Sequence, residues 1–95
     1  MAFYVYMLAS RRNGTFYVGM TDDLARRIHQ HRTGALPGFT REYRVTKLVW
    51  YEVHDSREAA FVREHQVKRW RREWKIALVL ETNGEWRDLY DTLQL

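Results

Sequence analysis

Between Phe3 and Met20 the chain reads FYVYMLAS, then the polar RRNGT, then FYVGM. Two runs rich in aromatic and β-branched residues around Asn13-Gly14 predict a β-hairpin with strands over residues 3–10 and 16–20. With Asn13-Gly14 central in the turn, opposed residue numbers sum to 27, so Ser10 faces Tyr17 and Leu8 faces Gly19. Side chains alternate across a strand, which puts Tyr4, Tyr6, Leu8 and Ser10 on one sheet face with Tyr17 and Gly19. Two phenols then share a face, with a glycine leaving space beside them. Residues 3–9 are apolar on both faces, the pattern of a central strand.

Downstream, Thr21-Asp22-Asp23 offers a helix cap, and Leu24, Ala25, Ile28 and His31 recur at helical spacing up to Gly34. Arg27 and His31, four apart, lie above one another on one face, whereas His29 and Arg32 point elsewhere and Arg26 lies nearer the outer face. Residues 35–43 (ALPGFTREY) hold the only proline and read as an irregular loop. Its Phe39, Arg41 and Tyr43 suit either contact with bases and phosphates or pinning of the loop to the body. Residues 45–54 (VTKLVWYEVH) form a third strand in which Val49, Tyr51 and Val53 alternate with Leu48, Trp50, Glu52 and His54. His54 reads as a surface residue. Ser56 caps a second helix that runs through Trp70, bends near Arg71-Arg72 and resumes as EWKIALVL up to Asn83-Gly84. Trp86, Leu89 and Tyr90 follow at helical spacing and are expected to pack back on the body. The result is an α+β fold: a small, mainly antiparallel three-stranded sheet flanked by helices, in the order β-β-α-β-α-α.

Length adds that the 95 residues make one domain, a core over about 3–80 and an acidic tail over 81–95. There is no cysteine, which excludes disulfides, thiol nucleophiles and thiolate metal sites. The apolar run at the amino terminus is too short for a signal core or a membrane helix, so a cytoplasmic protein with no membrane partner is expected. Charge alters the picture more. Up to residue 80 there are fifteen bases against eight acids, and thirteen of the sixteen bases in the chain are arginine. Such a body suits a polyanion, arginine being the side chain best fitted to forked phosphate contact. Arg26, Arg41, Lys68, Arg71, Arg72 and Lys75 are the candidate nucleic-acid contacts, the last four interleaved with Trp70 and Trp74. Trp70 and Trp74, four apart, equally fit a core stripe, and at least one is expected to be core.

Tyr4-Val5-Tyr6 followed by Tyr17-Val18-Gly19 resembles the paired signature of the GIY-YIG nuclease family, and Arg27, His31 and Glu64 follow at the family's spacing. The likeness covers roughly residues 3–75, with Tyr4 replacing the first glycine of the signature. It implies the GIY-YIG fold and hydrolysis of DNA phosphodiester bonds. Tyr17 would be the general base for water and Arg27 would stabilise the phosphate. One divalent ion, Mg²⁺ or Mn²⁺, would be held by Glu64. Tyr6 would orient the nucleophile, and His31 would position the water or accept a proton from Tyr17. An unperturbed phenol titrates near pH 10, so the base requires positive charge close to the ring.

Taken on its residues alone, Glu64 sits among Ala60 and Val67 and needs a partner, which a metal, Lys68 or an arginine of the first helix can supply. A lone carboxylate suits Mg²⁺, which keeps most of its waters. Zinc is disfavoured, since His29 and His31 are two apart on a helix and face different ways. Asn83 reads as a helix end. The expectation is a structure-selective endonuclease acting as a monomer on branched or single-stranded DNA, with a role in repair or recombination. The alternatives are a non-catalytic nucleic-acid-binding module on the same scaffold and a protein-interaction adaptor using the acidic tail.

Overall fold

β1 (Phe3–Ala9) is the central strand of a three-stranded antiparallel sheet, flanked by β2 (Phe16–Thr21) and β3 (Lys47–His54), in a computed structural model that describes residues 2–93. Helices α1 (Leu24–Arg32), α2 (Phe39–Glu42), α3 (Arg57–Arg69) and α4 (Arg72–Thr82) surround it, and a 3-10 helix closes the chain at Leu89–Leu93. The architecture is the expected α+β arrangement with the expected central strand. Asp23 caps α1 by accepting from the Arg26 amide at 3.2 Å, and Ser56 caps α3 by accepting from the Ala59 amide at 3.1 Å.

The hairpin register differs from expectation. Gly14 N–H bonds the Arg11 carbonyl at 2.9 Å, so Arg12 and Asn13 rather than Asn13-Gly14 occupy the centre of the turn. Tyr6 therefore opposes Gly19 and Leu8 opposes Tyr17. The slip is two residues, which preserves side-chain parity, so Tyr6 and Tyr17 still share a face. β3 also departs from simple alternation. A bulge opposite Met7 and Leu8 puts both Val49 and Trp50 into one core, where the sequence pattern puts them on opposite faces. Residues 35–43 are not wholly irregular either, because α2 forms within them and buries Thr40.

Each sheet face carries its own core. One packs Tyr6, Leu8 and Leu48 against Leu24 and Ile28 of α1, and the other packs Val5, Met7 and Val18 against α3 and α4. The tail joins both. Trp86 stacks on Phe16 with ring centroids 5.8 Å apart in the second core, while Tyr90 enters the first. Trp86 adopts a φ of 56°, which costs a non-glycine residue about 1–2 kcal/mol. Burial of its ring outweighs that, contributing roughly 4–6 kcal/mol at 25 cal/mol/Å². Asn83 makes this turn possible: its amide donates to the carbonyls of Val49 at 3.1 Å and Arg87 at 2.8 Å, and its oxygen accepts from the Arg87 amide at 2.9 Å. This is the helix-end role read from the sequence. Trp70 packs on the second core whereas Trp74 is exposed. Among the described residues no helix is long and apolar enough to cross a membrane.

Candidate functional site

The β1–β2 pairing brings three rings together. Tyr6, fully buried, extends over Gly19, where a Cβ would lie 2.6 Å from its hydroxyl and 3.1 Å from Tyr17 Cε2. Its ring centroid is 6.3 Å from Tyr17 and 5.9 Å from His31, and Tyr17 lies 5.5 Å from His31. Gly19 is thus the seat of the Tyr6 hydroxyl rather than open surface. Gly19→Ala is expected to lower stability by about 1–3 kcal/mol through overpacking, read as a lower urea midpoint, and to displace Tyr6 from His31.

The Tyr6 hydroxyl is 3.0 Å from His31 Nε2, and His31 Nδ1 is 2.9 Å from Thr40 Oγ1. Burial pushes the Tyr6 phenol well above its ordinary range, the neighbouring Tyr17 adds to this, Arg27 opposes it, and Glu64 raises it further. Tyr6 therefore keeps its proton and stays hydrogen-bonded to Nε2 as a neutral phenol. In either neutral tautomer one ring nitrogen of His31 donates and the other accepts, so Tyr6 and Thr40 together engage both. With both nitrogens engaged, His31 positions Tyr6 and has no free lone pair for a Tyr17 proton. Thr40 escaped the sequence reading because no periodicity marks it; α2 alone carries it to the imidazole.

Burial, and secondarily the charge of Arg27, lower the pKa of His31 below its usual value. The folded state thus resists protonation more than the unfolded one. Its stability is complete above about pH 6.5, the unfolded histidine value, and falls as the pH drops from there through the folded pKa. Replacing His31 by Gln is expected to flatten that acid limb, measured as melting temperature against pH.

Glu64 reaches this group from the other side. Ala60 and Val67 pack α3 on the second core, while Arg63 ties the helix to β3 by donating to Glu52 at 3.0 and 3.3 Å. Glu64, four residues after Ala60 and three before Val67, is buried on the same stripe of α3, and α3 packs against both β1 and β2. The Glu64 carboxylate is near enough to act on Tyr6. Tyr6 and Tyr17 belong to the core on the α1 side of the sheet, whereas α3, which carries Glu64, packs on the other. Glu64 is 8% exposed, with Lys68 Nζ and His65 Nδ1 each 3.3 Å from it.

The described residues contain no cluster of three or more acids and histidines suited to a metal. A buried lone carboxylate with displaceable exposed partners fits a hydrated Mg²⁺ and does not fit an all-protein cage.

The candidate nucleic-acid contacts divide. Arg26 is exposed and shares with Arg27 a cleft of about 230 Å³ that also includes Asp22 and Asp23. Arg41 and Arg71 are exposed. The others have internal partners. Arg72 donates to the carbonyls of Asn13 and, at 2.6 Å, Gly14, and lies over the Phe16 ring. Lys75 donates to the Lys68 carbonyl at 3.2 Å, and burial, with Arg72 nearby, lowers its pKa. These two brace the hairpin turn and the α3–α4 bend.

The model of the GIY-YIG catalytic domain matches residues 2–77. A UPF0213 protein of Haloquadratum walsbyi is 37% identical over 78 residues, covering 82% of this chain and 86% of its own. One from Natronomonas pharaonis is 38% identical over 81 residues, covering 85% and 94%. The solution structure of a UPF0213 protein from Bacillus halodurans superposes with a TM-score of 0.57 at 34% identity, covering 93% of each chain.

Proposed function

Because the chain belongs to the GIY-YIG family, a nuclease family whose members generally use divalent metal ions, we propose that it is a structure-selective DNA endonuclease serving repair or recombination. The observation that carries this reading is the division of labour between the two phenols. Tyr6 is committed to His31, whereas among the described residues the Tyr17 hydroxyl has no hydrogen-bond partner and is available to a water.

In this reading Tyr17 takes the proton of the attacking water, and Arg27 faces the charge that develops on the phosphoryl oxygens. The Tyr6–His31–Thr40 chain keeps the ring of Tyr17 in place. Glu64 would hold one Mg²⁺ or Mn²⁺, which when bound offsets charge on the phosphate and the departing oxygen. Arg26, Arg41 and Arg71 supply the outer phosphate contacts. Selection by shape follows from a surface of arginines and aromatic rings, which hold any backbone and stack on any base.

The test is incubation of the purified protein with branched, single-stranded and duplex DNA, with Mg²⁺ or with chelator. Nicking that requires the metal and stops on chelation is the expected result; absence of nicking on every substrate overturns the reading. The ion pair of Glu64 with Lys68 supports a second reading, a binding module whose carboxylate is already satisfied. Retention of DNA affinity without any cleavage is the outcome it predicts.

A further inference from the structure

We infer that the cleft between α1 and α2 is the seat of an unpaired DNA strand, with Arg41 and Arg44 taking phosphates and Phe39 and Tyr43 stacking on bases. The inference deepens the endonuclease reading by naming its substrate class and rests on it.

The cleft has a volume of about 330 Å³, and its lining includes Arg32, Arg41 and Arg44 but no carboxylate. His31 and Thr40 also line it, so it adjoins the group that holds Tyr6. Arg32 is neutralised by Asp88 at 2.5 Å and covered by Tyr90, whereas Arg41 and Arg44 are exposed and have no ion pair among the described residues. Two unpaired guanidinium groups beside a site for a scissile phosphate suit neighbouring phosphates of the same strand.

The aromatic pair beside them selects the kind of strand. Phe39 and Tyr43 are one helical turn apart with centroids 4.9 Å apart, and they remain 46% and 53% exposed. Rings that pinned the loop to the body would be buried. Each ring immediately precedes a residue that lines the cleft, Phe39 before Thr40 and Tyr43 before Arg44, so the pair adjoins the cleft without lining it. Exposed rings gain by stacking on unstacked bases and gain little from a closed duplex, whose bases already stack on one another. Arg44 also holds a φ of 54°, ending α2 in a conformation that favours glycine. An arginine there is a poor structural choice and a good phosphate ligand.

The experiment measures binding of a labelled short oligothymidylate and of a duplex of equal length by anisotropy, in chelator, so that no cleavage intervenes. Wild-type protein is expected to prefer the single strand. The Phe39→Ala/Tyr43→Ala variant should bind it at least about tenfold more weakly with little change toward duplex. Arg44→Gly should weaken single-strand binding while raising the melting temperature, a pairing that a purely structural arginine does not produce. Unchanged single-strand affinity in the double variant, or equal losses toward both DNAs, overturns the inference. Since binding is read without metal, an inactive enzyme that still shows these losses fails the nuclease reading alone, and an active one without them fails this inference alone.

Discussion

Replacing Tyr17 by phenylalanine is expected to reduce DNA cleavage by about 10²–10⁴-fold, the usual contribution of a positioned proton acceptor. The fold should not register the change. Tyr17 is only half-buried, its hydroxyl makes no hydrogen bond among the described residues, and its ring would persist between Gly19 and His31. A stability change within about 0.5 kcal/mol is therefore expected. Tyr6→Phe provides the contrast. It leaves His31 Nε2 buried without its hydrogen-bond partner, which costs about 1–3 kcal/mol, and its effect on rate arises through misplacement of the neighbouring ring. Rates of single-turnover cleavage set beside urea midpoints separate the two tyrosines. A Tyr17→Phe enzyme that cuts at the wild-type rate removes the general-base assignment.

Glu64→Gln is expected to cut the rate about a thousandfold, since a metal ion at a phosphoryl centre supplies several kcal/mol of transition-state stabilisation. The substitution keeps size and shape. Its exposed partner Lys68, whose side chain is 47% accessible, returns to solvent, so no unpaired charge is left buried. Cleavage measured across a Mg²⁺ titration should show the loss at every concentration, with DNA affinity in chelator preserved. Full activity in Glu64→Gln would place the ion elsewhere or remove it from the chemistry.

What the sequence made legible, and what it hid, follows from the range of the forces involved. Strand parity is a local property, so Tyr6 and Tyr17 could be put on one face even with the turn misplaced by one residue, since Arg12 rather than Gly14 joins Asn13 at its centre and the register shifts by two. The Arg27 and His31 pairing is likewise helical arithmetic. Thr40 was invisible because its contact with His31 depends on where a short helix docks. The Arg63–Glu52 pair between α3 and β3 was equally hidden, because it joins two elements through side chains that no local pattern marks. Arg72 looked like a phosphate ligand for a similar reason: nothing near it in the chain announces that the hairpin carbonyls will use its donors. The bulge at Val49 and Trp50 overrode the alternation of β3.

The closing segment has a consequence for how the molecule comes apart. Trp86 belongs to one apolar cluster and Tyr90 to the other, and between them Asp88 accepts from the Leu48 amide at 3.2 Å while holding Arg32. A strap fastened to both halves couples their melting, so the face bearing α1 and the face bearing α3 lose structure in a single cooperative step, and amide exchange in the two should share one protection ceiling.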